Sequence, residues 1–253
     1  MKNIYTKTIY LIFFVVLVLV IFLYVKKDKR MLSSEKLVET LFKYKELESF
    51  QSYQHGEAEL KNKFFQENPK DKNKNIALLR FSFNSMDKLR SDINKDNLRE
   101  KILDHLLEDE KNIHLASKIL TDFSFVHQKF GVDQAIARIY SIKLLTRAAE
   151  RGNIDYLKNT TKDLVEILRT KDVVSQGEWR DLEDLISSSV ELLPSDFELE
   201  KVDAWLEDLA YSNDHEKIRK IFRNAFYFSF YERISNEEFE VLMKKFKRKE
   251  SMS

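Results

Sequence analysis

The chain of 253 residues contains no cysteine, two prolines and four glycines. Without cysteine there is no disulfide framework, no thiolate nucleophile and no Cys-ligated zinc. The absence suits a reducing compartment as well as an oxidising one, so it does not locate the protein. With so few glycines the sequence has no Gly-x-Gly-x-x-Gly fingerprint, no Walker-type phosphate loop and no Gly-x-Ser-x-Gly elbow. Scarce turn-formers also limit tight turns and hairpins. No sustained alternation of apolar and polar residues is present, which excludes a sheet, and the expected fold class is all-α.

An excess of either charge is missing as well. The chain carries 43 basic and 42 acidic side chains. The first thirty residues hold six of the basic and one of the acidic, leaving 37 against 41 in the remainder. A nucleic-acid-binding domain would normally be strongly basic, so no nucleic-acid partner is expected.

What is present begins with an apolar run. From Ile9 to Val25, seventeen residues carry no charge. At ~1.5 Å per residue a helix of that length covers about 26 Å, close to a hydrocarbon core of ~30 Å. Tyr5, Tyr10 and Tyr24 stand near its ends, where amphipathic rings favour headgroup level, and Lys7 and Lys26 can snorkel. A cleaved signal would have a shorter apolar region and small residues at the cleavage site. Here Lys26-Lys27-Asp28-Lys29-Arg30 follows instead. Residues 9–25 are therefore expected to be a single-pass transmembrane anchor whose partner is the lipid bilayer. Four basic residues after the span against two before it would place the domain in the cytoplasm by the positive-inside rule. A short basic tail ahead of one span is also how signal-anchored exported domains begin. The expectation is an extracytoplasmic domain, with the cytoplasmic orientation as the alternative.

Residues 31–75 read as a stalk-like helix and a polar linker. Ser34 can cap a helix through Leu37, Leu41, Tyr44 and Leu47, and residues 66–75 are polar and broken by Pro69. Residues 76–253 read as an all-helical, repeat-like domain. Apolar residues keep helical spacing at Ile76, Leu79, Phe83 and Met86, and at Ala116, Ile119, Phe123, Val126 and Phe130. Further stripes are Ile154, Leu157, Leu164, Val165 and Leu168 (interrupted by Thr161), then Trp179, Leu182, Ile186, Val190 and Leu193, then Leu199, Val202, Leu206 and Leu209. The segment from Val132 to Arg151 is apolar almost all round, as an inner helix packed on two sides would be.

Gly131 and Gly152 look like left-handed helix stops, and Pro194 ends the helix before it. Capping boxes start at Ser175, Ser195, Asn213 and Ser235, each with Glu three residues on. Helix starts near 131, 152, 175, 195, 213 and 235 give two-helix repeats of 44, 43, 38 and 40 residues. HEAT and armadillo solenoids repeat every ~40–47 residues. The expected architecture is thus an array of antiparallel helical hairpins after the transmembrane helix, with a compact irregular bundle as the alternative.

Candidate chemistry is sparse. His105 with Glu108, and Glu110 with His114, are spaced to share a helix face. A di-metal bundle needs Glu-x-x-His on two helices and two further inward glutamates, a form neither pair has. No catalytic residue, metal site, cofactor or small-molecule substrate is expected. Asn159-Thr160-Thr161 matches a glycosylation acceptor but falls inside a helix, against that use.

Two features point to binding. Residues 221–234 hold Phe222, Phe226, Tyr227, Phe228, Phe230 and Tyr231. Most of these rings suit a core helix, while Phe226, Tyr227, Phe230 and Tyr231 are the candidate partner-binding residues, since aromatic side chains are enriched at hot spots. At the C-terminal end, Lys244, Lys245, Lys247, Arg248 and Lys249 suit a helix macrodipole or contact with anionic lipid. The functional expectation is a membrane-anchored scaffold or accessory subunit that binds other proteins of a membrane complex. Alternatives are a structural tether with a lipid-contacting basic end and an all-helical metal-dependent enzyme.

Overall fold

A computed structural model describes residues 49–67, 74–90, 92, 95–192, 215–231, 235–238, 240–241 and 244. These residues are almost wholly helical, with no strand among them. The helices are α1 (Phe50–Glu67), α2 (Lys74–Lys88), α3 (Asp96–Leu106), α4 (Glu110–Thr121), α5 (Phe123–Phe130), α6 (Gln134–Glu150), α7 (Ile154–Arg169), α8 (Gln176–Glu191) and α9 (Glu216–Tyr231). None of them is long and apolar enough to cross a membrane. The run from Ile9 to Val25, the helix expected after Ser34, Pro194 with the Ser195 box, and the stripe from Leu199 to Leu209 lie outside the described residues. The chain divides into two compact units, residues 1–85 and 86–253.

In the first unit, α1 is a helix that the sequence reading did not anticipate. Among its described side chains those of Tyr53, Glu57 and Leu60 are buried, so a carboxylate interrupts the apolar stripe that would have marked it. Lys61 pairs with that carboxylate. The Tyr53 ring stacks on Phe81 of α2 at 5.7 Å between centroids. Ser82 gives its only hydroxyl proton to the Leu78 carbonyl (2.8 Å), so in the 2.8 Å contact between Tyr53 and Ser82 the tyrosine donates. Gly56 permits this approach, because a Cβ there would lie 2.9 Å from Phe81 Cζ.

The second unit is organised by α6. It packs on α3, α4, α5, α7 and α8. Its buried residues are Ala137, Tyr140, Ser141, Ile142, Leu144, Leu145, Ala148 and Ala149. At ~100° per residue these spread over roughly 200° of the helix, leaving a narrow wet stripe of Ala135, Ile139, Lys143 and Glu150. The inner-helix expectation holds, except that Ile139 and Val132, counted with the apolar surface, are exposed. Around α6, α4 also packs on α5 and α7, and α8 on α7 and α9.

Most of the two remaining stripes is buried as the spacing implies: Leu157, Leu164, Val165 and Leu168 on α7, and Leu182, Ile186 and Val190 on α8. Ile154 and Trp179 are half-buried, and Leu193 lies outside the described residues. Thr161 is buried with its α7 neighbours because its hydroxyl donates to the Leu157 carbonyl (2.8 Å), and Thr160 donates to Ser117 Oγ of α4 (2.8 Å). The hydroxyl of the acceptor triplet at Asn159 is thus inside the fold. Asn112 is likewise buried, donating to the Leu106 carbonyl (2.9 Å) and tying the start of α4 to the end of α3. Across α3 and α6, Arg147 donates to Asp104 through Nε (2.7 Å) and Nη2 (3.1 Å), and Arg151 reaches the same carboxylate at 2.6 Å. The hydrogen bond from Arg147 is the largest effect holding the Asp104 carboxyl below its ordinary range.

Two expectations need correction. The stripe from Ala116 to Phe130 is not one helix. Asp122 leaves helical geometry (φ −120°, ψ 88°) and accepts from the Phe125 N–H at 2.8 Å, so it ends α4 and caps α5. Apolar spacing carries across this joint without a mark. Gly131 has positive φ but ψ of −117°, outside the left-handed helical well. Gly152 does close α6 as expected: its N–H bonds the Ala149 carbonyl and that of Asn153 the Ala148 carbonyl, both at 2.9 Å, with φ of 93°. The Ser175–Glu178 box forms in both directions, as does that of Ser235 and Glu238.

These backbone geometries predict an order of losses in chemical denaturation. Gly152→Ala, whose Cβ would meet open space, should cost ~1 kcal/mol for its positive φ alone. Gly131→Ala should cost more, about 2–3 kcal/mol, because no L side chain favours its φ and ψ. Equal losses would show that the two helix stops are equivalent.

Candidate functional site

Helix α9 carries all four candidate partner-binding residues. Its inner face is Ile218, Ile221, Phe222 and Ala225, all buried, and it packs on α8. Phe222, the first ring of the aromatic segment, is therefore a core residue. Tyr227 is 38% exposed, and its ring meets Phe228 edge-on at 5.4 Å. Phe228 is 74% exposed. Phe226, Phe230 and Tyr231 belong to the same helix, but their side chains lie outside the described residues. The sequence reading left Phe228 out of its binding set. The missed signal is register: six residues from Phe222 is about 240° around the helix, away from the face that Phe222 buries.

At the opposite end of α9, the Trp179 ring of α8 lies 5.4 Å from the His215 ring, with Lys217 Nζ 4.2 Å above the indole. The cation–π contact and the buried apolar face together fix α9 to α8. Beyond α9, the Ser235 box opens a further helical segment. Lys244 is helical and exposed there, whereas Lys245, Lys247, Arg248 and Lys249 lie outside the described residues.

The histidine pairs separate. His105 Nδ1 sits 3.1 Å from Glu108 Oε2 at the end of α3. Glu110 and His114 meet instead around Tyr156 of α7, whose hydroxyl donates to Glu110 Oε1 (2.5 Å) and lies 3.1 Å from His114 Nε2. The bond to Glu110 raises the Tyr156 phenol above its ordinary range. Tyr156 was invisible to a spacing argument because it comes from another helix. Among the described residues, no group of three or more His, Asp or Glu side chains could hold a metal ion.

A second polar cluster joins α5, α6 and α8. Arg138 of α6 forms an ion pair with Asp181 of α8, both side chains largely buried. The Arg138 guanidinium lies 4.9 Å from the centroid of the Phe123 ring, and Lys171 Nζ lies 4.2 Å from the same centroid. Lys171 also bonds Glu178, the buried capping-box carboxylate. Burial pushes Glu178 up, but the hydrogen bonds from Lys171 and Ser175 outweigh it and hold the group below its ordinary range. For Asp181 burial wins and the carboxyl is pushed up to about 6.

No protein-family model matches this chain, and neither a curated protein nor a solved structure matches it.

The division of α9 into an inner and an outer face predicts contrasting substitutions. Phe222→Ala should destabilise the fold by about 3–5 kcal/mol, as truncation of a fully buried ring does. Phe228→Ser should change stability by less than ~0.5 kcal/mol. Urea unfolding of the two variants checks this, and a large loss for Phe228→Ser would show that its ring is part of a core.

Proposed function

We propose that this protein is a membrane-anchored helical scaffold that binds other proteins of a membrane complex. Residues 9–25 supply the anchor, and stacked helical hairpins supply the platform. The stacking reading is supported by the pattern of helix contacts, in which α4, α6 and α8 pack in series while α5, α7 and α9 each pack on the helix before them. In a solenoid each unit touches its neighbours and the stack presents long lateral surfaces. The orientation proposed is an extracytoplasmic domain. The observation that carries the binding reading is the outward pair on α9, where Tyr227 and Phe228 contact each other while Phe228 remains mostly in water. A single exposed apolar side chain is ordinary, but adjoining aromatic rings offer a ready contact area at low entropic cost.

The test is photocrosslinking in native membranes, with the full chain carrying a photoreactive residue at position 228 or, as a control, at the exposed position of Lys101. A discrete protein adduct from position 228 and none from position 101 is the expected result. Adducts to lipid alone from position 228 would instead favour the tether reading, in which the basic stretch from Lys244 to Lys249 meets anionic lipid.

A further inference from the structure

Three carboxylates stand one turn apart on α8, at Glu178, Asp181 and Asp184. The first two are buried. The cations near them are unequally shared. Lys171, from the connection between α7 and α8, is committed to Glu178. Arg180 acts on Asp184. Among the described residues, Arg138 of α6 is the cation paired with Asp181, and it is itself drawn to the Phe123 ring of α5. Some charged groups on the other helices packed on α8 have partners of their own. On α9, Lys217 sits over Trp179, and on α7 the exposed Glu166 and Arg169 pair with each other. An ionised Asp181 therefore bears the desolvation of a buried charge against one partner, with a like charge on either side along its own helix.

We propose that the seam between α6 and α8 is proton-responsive, with Asp181 as the group that takes up the proton and α8 held more firmly when it does. Protonation removes the repulsion from Glu178 and Asp184 and most of the burial penalty. The remaining carbonyl oxygen still accepts from Arg138, whose charge keeps the Phe123 ring as a neighbour. Burial is the largest cause of the raised Asp181 carboxyl; Arg138 opposes it, and Asp184 and Glu178 add to it. Because the folded-state value, about 6, is raised above the ordinary 3.8, the stabilisation is fully present below 3.8 and is lost as the pH rises through about 6. This sign is the reverse of that for a carboxylate such as Asp104, whose contribution is lost on acidification. Since α8 carries α9, proton uptake also firms the base beneath Tyr227 and Phe228, although the proposal stands whether or not those rings bind a partner.

The test begins with the unsubstituted full chain in detergent, labelled with carbon-13 at aspartate carboxyls and titrated by NMR. The Asp181 resonance, assigned by its loss in Asp181→Asn, should titrate with a midpoint near 6; a midpoint near 4 would overturn the proposal. In parallel, the unfolding equilibrium constant of the unsubstituted chain relative to Asp181→Asn should rise roughly tenfold between pH 5 and pH 7.5. A ratio that stays constant across that range would equally overturn it. Should Asp181→Asn fail to fold, the resonance is assigned by selective labelling through the Leu182 amide, and the titration decides alone.

Discussion

The second unit depends on burying one helix over most of its circumference. α6 has too little polar surface to lie on the outside of a domain, so α3, α4, α5, α7 and α8 must cover it. Leu144 and Leu145, adjacent in sequence and about 100° apart on the helix, are both fully buried. A helix with one apolar stripe would need one partner layer; two such directions require packing on more than one side. The short joint at Asp122 follows from the same demand. It lets α5 turn away from α4 and pack on α6 as well, with the aspartate satisfying the backbone N–H exposed by the break.

Several polar groups inside this packing are paired locally. Thr161 bonds one turn back along α7, Asn112 bridges to the end of α3, and Glu178 closes its own capping box while taking Lys171. Asp181 differs from these, because its neutralising group comes from a different helix while Glu178 and Asp184 of its own helix repel it. The buried pair it forms with Arg138 adds little net stability, because the cost of desolvating both charges offsets their attraction.

Much of the helical framework was legible in the chain, and the reasons are local. Four glycines and two prolines leave little but helix. Gly152 and Ser175 mark helix ends because a left-handed closure and a capping box are each specified by residues within a few positions. Starts expected near 131, 152 and 175 are realised at Gln134, Ile154 and Gln176. What was not legible depends on contacts between distant residues. α1 is held through Tyr53, Gly56 and Phe81, and the bulky stripe that would have announced it is broken by Glu57. Tyr156 joins Glu110 and His114 from another helix, and nothing in the spacing of Arg138 and Asp181 shows that they meet. On α9, aromatic content suggested a cluster, but register decides which rings are inside. Phe222 belongs to the core and Phe228 to the surface, a distinction that composition cannot make.

Amide hydrogen exchange along α6 tests the central constraint most directly. If the helix is the element every neighbour packs on, the amides of Leu144 and Leu145 should exchange only through global unfolding, with the full denaturant dependence of that transition. They should also outlast the amides of Ile218 to Ala225 in α9, which has α8 as its principal partner among the described helices. Exchange at Leu144 and Leu145 through local opening, faster than in α9, would contradict the account.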